Sequence, residues 1–411
     1  MTLRKLIIVL PVLLFVSACN DLKDIPPEPF DSPNVPETYI FERNGNSTID
    51  FNGQTMRIKM AQELVNLLKD PDGDLERAIH MFRNEGPGGS DVDPFSEATL
   101  NASDKSIRSK VAASRDLFHA NTVRSEQIRQ ELEGWINAQF DITFVNKDTL
   151  ARPGVAGQIA DGSSTRYVGP DGLEYDQAFA KSLIGALMTD QMLNNYLSTA
   201  VLDEGDNVVD NDAGLTVNGK DYTTMEHKWD EAYGYLFGNA PSGSEPLLTL
   251  GADDKFLNNY TAKVDADGDF TGIANQIFDA FKLGRACITN APGFYPLRDE
   301  QISILRGAVS RVIAVRAVYY MEQGAAALDG GDMGTALHAL SEGYGFINSL
   351  RFTRLPDGSS AYFSHDEVDQ LLSNLMSDGP NCLWDVKMNT LNTIAEKIAG
   401  RFGFTQDQAA N

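Results

Sequence analysis

Helical periodicity runs through most of the chain and limits the folds that it can adopt more than any other feature. From about residue 55 onward, apolar residues recur every three or four positions, as they do on one face of an α-helix. Several of these stretches begin with a Ser or Thr that precedes acidic residues, which is typical of helix starts. The pattern predicts helices at about 55–69, 74–83, 103–118, 121–139, 174–199, 223–238, 272–288, 298–328, 332–350, 364–376 and 386–401.

A short segment ahead of these helices has a different pattern. Apolar and polar residues alternate there, and Asn-Gly pairs stand at residues 44–45 and 52–53. Because Asn-Gly favours tight hairpin turns, we expect a small N-terminal β-hairpin. The rest of the folded chain is longer than the segments that usually share a single hydrophobic core. The expected fold class is therefore mainly α, a duplicated helical bundle with sub-bundles at approximately 38–240 and 241–405.

The first residues have the pattern of an export signal. Arg4 and Lys5 precede an apolar run, Leu6–Val16, that is too short to remain as a membrane span. Small residues then lead directly into Cys19, as in bacterial lipoproteins, where the cysteine thiol is lipidated and becomes the new N-terminus. The sequence predicts a signal peptide at 1–18 and lipidation at Cys19. The alternative is an ordinary signal peptide with a chance cysteine.

Residues 19–37 are rich in proline, which disfavours helix and favours extended chain. We expect them to tether a folded domain, residues 38–411, to a membrane through the N-terminal lipid. The predicted location is the cell envelope, where the protein is expected to be attached to the outer membrane and to face the periplasm or the surface. The formal charge of −24 would repel nucleic acid, which is therefore not an expected partner.

Two further cysteines, Cys287 and Cys382, lie in the folded part of the chain. In an oxidising compartment they can form one disulfide. Two free thiols are the alternative, and the sequence leaves both open.

An internal repeat points to a functional site. Residues 227–236 and 338–347 both have His, Glu, Tyr and Gly at the same four positions. Within each copy the His and the Glu are four residues apart, so they share one face of a helix. The glycine of each copy, Gly234 or Gly345, is costly in mid-helix, so we expect another segment to approach the backbone there.

Imidazole and carboxylate together suit iron, zinc or manganese, and helical bundles often hold metals on inward-facing residues. The candidate metal ligands are His227 with Glu231 and His338 with Glu342, and Glu226 and Asp230 are candidate additional ligands in the first copy. Two alternatives stay open. The repeat can be a packing motif kept after duplication, or an acid–base pair for catalysis.

The first copy resembles the helical His-x-x-Glu motif of the imelysin-like proteins, which are duplicated helical bundles associated with iron uptake. The resembling stretch is Met225 to Gly238, in which Met225 stands at the glycine of that motif and Asp230 at its acidic position. This resemblance implies an imelysin-like bundle and a role in metal acquisition.

The chain also resembles an uncharacterised family of lipoproteins of roughly this length, prominent in Bacteroidetes and named only for a domain of unknown function. The resemblance covers most of the mature chain and implies no activity. Its matching stretches are Arg43–Gly45 with Gly53–Thr55, Glu174–Lys181, Asp190–Tyr196 and Ser341–Phe352.

An acidic segment resembles the beginning of a calcium loop, because Asp265, Asp267, Asp269 and Thr271 place oxygens at alternate positions. The glycine and the final glutamate of such a loop are missing. A solvated turn that leads into a helix is the alternative.

Together these patterns favour a lipid-anchored envelope protein that binds a divalent metal, with iron as the expected cofactor or cargo and calcium as a second candidate. A binding or scaffold lipoprotein that docks another envelope protein is one alternative. A hydrolase with an unrecognised site is another, although no nucleophile elbow, phosphate loop or dinucleotide motif is present.

Overall fold

A computed structural model describes residues 32–84 and 93–410, which form a mainly α-helical fold, as predicted. The predicted signal peptide, Cys19 and the first part of the predicted tether lie outside these residues. In the described part, the helices α1 to α15 span Asn52–Leu67, Leu75–Arg83, Ala98–Asn101, Arg115–Phe118, Thr122–Ala138, Tyr175–Leu183, Thr199–Leu202, Asn207–Asp212, Thr224–Phe237, Leu257–Ala266, Ile273–Thr289, Tyr295–Asp329, Met333–Ser349, His365–Leu375 and Met388–Phe402.

Two small antiparallel hairpins accompany the helices in the described residues. Strands β1, Glu42–Arg43, and β2, Asn46–Ser47, form the predicted N-terminal hairpin, and positive φ angles at Asn44 and Gly45 close its turn. Strands β3, Gly157–Asp161, and β4, Ser164–Val168, form a second hairpin in a segment without helical periodicity.

The second Asn-Gly pair does not form a turn. Asn52 and Gly53 instead begin α1, where the Asp50 carboxylate accepts the backbone N–H of Asn52 at 3.2 Å. A side-chain acceptor at a helix start satisfies one of the N–H groups that the first turn leaves unpaired. The carboxylate of Asp50 therefore favours helix here over the hairpin turn that the dipeptide alone indicates.

Tight packing surrounds α6, whose residues are all buried. Its helical path continues through π-helical turns at Ile184–Thr189 and Met192–Tyr196, and it packs along α13. The long helix α12 contacts α11, α13 and α15. One hydrophobic core includes buried side chains from both predicted sub-bundles, so their boundary near residue 240 stays a prediction.

The glycines of the repeat lie where helices cross, as predicted. A Cβ atom at Gly234 would be 2.5 Å from the Cβ of Phe51, at the start of α1. A Cβ atom at Gly345 would be 2.5 Å from the Cβ of Lys181, in α6. Both distances are shorter than atoms in contact tolerate, so the absence of a side chain is what lets the backbones approach.

The end of the predicted tether lies against the folded domain. Pro33 is buried, and the Lys282 ammonium donates to the carbonyl oxygen of Glu37 at 3.0 Å. The chain therefore enters the fold beside α11. Among residues 32–84 and 93–410, no helix combines the length and the apolar character that crossing a membrane requires.

The two cysteines of the folded part are both free thiols, so the disulfide that the sequence allows is not formed. Cys287 is buried in α11, and burial raises the pKa of its thiol to about 11. Cys382 lies in the segment between α14 and α15 and is partly exposed.

Candidate functional site

The first copy of the repeat lies in α9, which begins with a capping box between Thr223 and Glu226. His227 stacks on the ring of Tyr222, with 4.5 Å between the ring centroids. Its Nε2 atom is 3.9 Å from the Glu231 carboxylate, and burial lowers the pKa of the imidazole. The pair therefore shares a helix face, as the spacing predicts, but the contact is long.

Other side chains hold Glu231 in place. The ammonium of Lys228 lies 3.0 Å from one carboxylate oxygen, and the Gln54 amide donates to the other at 3.1 Å. A cation and an amide donor already satisfy this carboxylate. Each carboxylate oxygen of Glu231 therefore already has one donor, which a metal ion at Glu231 would have to share.

Glu226 and Asp230, the candidate additional ligands, belong to a different contact. Arg285 of α11 is fully buried between them, with nitrogen–oxygen distances of 3.1 Å to Glu226 and 3.0 Å to Asp230. The hydroxyl of Tyr39 also donates to Asp230, at 2.7 Å. Burial raises the pKa of Asp230 to about 6 despite the opposing charge of Arg285. Both carboxylates are therefore engaged with the guanidinium of a neighbouring helix.

The second copy lies in α13 and has different partners. His338 Nδ1 is 3.0 Å from the nearer carboxylate oxygen of Glu174, the residue that precedes α6. Burial alone would lower the pKa of His338, but the hydrogen bond and the charge of Glu174 raise it overall. Ser341, which corresponds to Asp230 of the first copy, accepts the backbone N–H of Glu174 at 2.9 Å. Helix α13 therefore carries the imidazole of His338 and also holds the start of α6, where its partner Glu174 lies.

Glu342 is paired with a lysine of α6. The Lys181 ammonium lies 3.0 Å from its carboxylate, and both side chains are buried. Burial would raise the pKa of Glu342, but the charges of Lys181 and His338 lower it to about 2. Lys181 corresponds to Gln54 of the first copy, since each lies at the close approach beside the motif glycine and contacts the motif glutamate.

A small polar cavity adjoins the second copy. It has a volume of about 130 Å³. Its lining residues come from α6, the β3–β4 hairpin and neighbouring segments, and they are Lys69, Gln139, Thr165, Arg166, Tyr167, Glu174, Asp176 and Gln177. Burial, followed by the nearby charge of Glu174, raises the pKa of Asp176 to about 6. Two carboxylates therefore share a confined space, in which the charged form of Asp176 is disfavoured.

Two amide side chains add oxygen atoms to this cavity. The nitrogen of Gln139 donates to the carbonyl of Leu68 at 2.9 Å, and the nitrogen of Gln177 donates to Asp176 at 2.7 Å. Within the part of the chain that the structure describes, the oxygen of each amide is buried without a hydrogen-bond donor. Unpaired buried acceptors beside carboxylates match the coordination preferences of a cation or of bound water.

Glu174 and Asp176 were not candidate ligands in the sequence, because neither belongs to the repeat. A signal was nevertheless present. The stretch from residue 174 to residue 188 is apolar enough to be buried on every side, yet it contains four charged or amide side chains. Charges in a helix buried all round need partners or a ligand.

Among the described residues, no three His, Cys, Asp or Glu side chains lie close enough together to hold a metal ion. The candidate calcium loop instead caps α11, because Asp265 accepts the backbone N–H groups of Gly272 and Ala274, each at 2.9 Å. Asp267 accepts the N–H of Asp269, and its carbonyl accepts the hydroxyl of Thr271, both at 3.0 Å. Calcium binding there stays a prediction.

These contacts define a mainly helical protein with a small polar cavity beside α6, lined by two carboxylates and two cations, and an imidazole at its edge. The chain belongs to the family described as "Domain of unknown function (DUF4856)", which matches residues 36–405. No curated protein and no solved structure matches it.

Proposed function

We propose that this protein is a lipid-anchored envelope protein that binds a divalent cation, with iron as the first candidate, at the second copy of the repeat. The observation that supports it best is the cavity beside His338. Two carboxylates and two amide side chains with donor-free oxygens line this cavity together with Lys69 and Arg166, and His338 contacts Glu174 at its edge.

The ligand types narrow the choice of cation. Carboxylate and amide oxygens suit Mg²⁺, Ca²⁺ and Mn²⁺, whereas imidazole suits Fe²⁺ and Zn²⁺. A mixed set of one imidazole, carboxylates and amide oxygens favours Fe²⁺ or Mn²⁺ over Ca²⁺. The resemblance of the first copy to the imelysin-like motif supports iron. Since residues 32–84 and 93–410 bring no third acidic or histidine ligand to this site, the remaining positions would be filled by Gln139, Gln177 or water.

Metal retention tests this proposal. The full-length protein is incubated with Fe²⁺ under anaerobic conditions, desalted and analysed by elemental mass spectrometry, alongside Glu174→Gln and His338→Ala. We expect about one iron per chain in the wild type and a loss of at least tenfold in occupancy in both variants, because each removes one of two close ligands. His227→Ala is the matched control and is expected to retain the metal.

Two results would count against the proposal. If the wild type retains no more iron than Glu174→Gln does, and the same result is obtained with Mn²⁺ and with Zn²⁺, the cavity is not a metal site. If His227→Ala loses the metal while His338→Ala keeps it, the first copy is the site.

The lipid anchor is a separate part of the proposal and rests on the residues before the fold. Replacement of Cys19 by Ser removes the thiol that would be acylated. We expect metabolic labelling with palmitate to mark the wild type and not Cys19→Ser. Equal labelling of both proteins would remove the lipoprotein assignment.

A further inference from the structure

A second pocket adjoins the first copy of the repeat and has an excess of positive charge in its lining. It lies between the segment that precedes α4, the first turns of α5, the end of the α6 path and Lys228 of α9, and its volume is about 500 Å³. Pockets of this size accommodate small-molecule ligands. Four cationic side chains line it, namely Lys110, Arg115, Arg129 and Lys228, while Glu204 is the one carboxylate in its lining. In a chain of formal charge −24, this excess of positive charge is local and opposes the overall field.

Acidic partners compensate these cations only in part. Arg115 lies 3.4 Å from Glu204, and Arg129 lies 3.7 Å from Glu126. Partly exposed ion pairs at such distances contribute little to stability. The pairs therefore leave the arginines available to another anion.

Lys110 is the least compensated of the four cations. Within the described residues its ammonium has no ion pair, and it lies 5.5 Å from the centre of the Tyr196 ring. The ammonium of Lys228 lies 5.4 Å from the same ring. Burial and the charge of Arg57 lower the pKa of Lys110. Two ammonium groups thus share one aromatic ring, an arrangement that an anion between them would stabilise.

A buried serine lines the same pocket. Ser114 is only 1% exposed. Its backbone N–H is already bound to Asp190 at 3.1 Å, so the segment is held in place. Ser114 therefore gives the pocket a fixed wall beside the cations.

We propose that this pocket binds a small molecule with two or more negative charges on phosphate or carboxylate oxygens. The two guanidinium groups supply paired donors that match the geometry of such oxyanions, and the lysines supply point charges. A lipid surface is the weaker candidate, because the acidity of the whole chain would repel anionic headgroups. The pocket is distinct from the cavity beside His338 and does not depend on metal binding there.

Calorimetric titration of the full-length protein tests this inference with two probes, inorganic phosphate and citrate, at constant ionic strength. We expect saturable binding of at least one probe. Lys110→Gln and Arg115→Gln should each weaken it at least tenfold. Glu204→Gln removes the one carboxylate of the lining and should tighten binding about threefold. Lys59→Gln, an exposed lysine of α1 outside the pocket, is the matched control and should leave the affinity unchanged.

The inference is overturned if neither probe saturates the wild type at millimolar concentration. It is also overturned if Lys59→Gln weakens binding as much as Lys110→Gln does, since that result indicates a general charge effect. Thermal unfolding of each variant without ligand identifies any variant that has lost its fold. Glu204→Gln separates binding from folding, because it is expected to increase the affinity and a misfolded variant would not.

Discussion

Arg285 determines what the acidic residues of the first copy can do. Its guanidinium is fully buried and pairs with Glu226 and Asp230, while Arg43 approaches Glu226 from the hairpin at 2.8 Å. Removal of one partner from a buried network of this kind is strongly destabilising, because the remaining charges stay buried without a counter-charge. The acidic pair therefore secures the contact between α9 and α11, whether or not His227 has a ligand.

Replacement of Arg285 by Met should lower the free energy of unfolding by about 3–5 kcal/mol, because two buried carboxylates lose their shared cation. Chemical denaturation followed by circular dichroism measures this change. Lys397→Met, on an exposed position of α15, is the control and should change stability by less than about 0.5 kcal/mol. A loss below about 1 kcal/mol for Arg285→Met would contradict the account of this network.

His365 should make stability depend on pH. Burial, together with the charges of Arg351 and Arg124, lowers the pKa of its imidazole to about 4, whereas the unfolded chain takes up the proton near the ordinary value of about 6.5. Between these values the unfolded state binds more protons, so stability falls as the pH falls from about 6.5 to about 4.

The matched variant is His365→Gln, which cannot take up the proton. Relative to wild type, it should lose about 1–2 kcal/mol less stability over this pH interval, a value reduced to allow for partial exposure of the ring. Denaturation midpoints at several pH values measure the difference. His119→Gln, on an exposed histidine, should follow the wild-type profile. If the stability of wild type and of His365→Gln changes in parallel with pH, the His365 imidazole is not the source of the pH dependence.

At the scale of helices, each copy of the repeat lies where its helix crosses another helix. α9 meets α1 at Gly234, and α13 meets α6 at Gly345. In both crossings a side chain of the partner helix also reaches the motif glutamate, Gln54 in one and Lys181 in the other. A lysine pairs with the glutamate in both crossings, but in the first it is Lys228 of α9 itself and in the second it is Lys181 of the partner helix.

Gly345→Ala should destabilise the fold by about 1–3 kcal/mol, because its Cβ would lie 2.5 Å from the Cβ of Lys181 and 3.0 Å from the carbonyl oxygen of Ala178. Gly134→Ala is the matched control. It also lies inside a helix, α5, but has no atom within 4 Å of its Cβ position, so it should stabilise by about 0.5–1 kcal/mol. Thermal unfolding compares them, and a stabilising Gly345→Ala would refute the close approach.

Periodicity predicted most helices to within a few residues, and it failed where distant contacts decide the backbone. The helix expected at 103–118 is broken in the structure. Ala112 has a positive φ and donates its N–H to the carbonyl of Ala186, and Asp190 accepts the N–H groups of the next two residues. These acceptors are more than seventy positions away, so no local pattern contains them.

The candidate site was predicted only in part for the same reason. The His–Glu spacing correctly placed His338 and Glu342 on one helix, yet the closest carboxylate to the imidazole is Glu174, 164 positions away. Glu226 and Asp230 stay candidate ligands, but the sequence does not indicate which helix faces them. The structure supplies that information through Arg285.

At the scale of the whole molecule, the two copies of the repeat border sites of different charge. The second copy adjoins a cavity in which Lys69 and Arg166 balance the carboxylates of Glu174 and Asp176. The first copy adjoins a pocket with four cations and one carboxylate in its lining. The two proposals therefore assign different ligands to the two copies, an anion to the pocket and a metal cation to the residues beside His338.

The measurement that tests the central proposal most directly is an anomalous difference map from a crystal of the protein grown with Fe²⁺, with data collected on both sides of the iron absorption edge. The account predicts one strong peak between the His338 imidazole and the Glu174 carboxylate, at the edge of the cavity. Crystals of Glu174→Gln should lack this peak. A map without a peak there at full iron concentration, or with its only strong peak beside His227, would contradict the account.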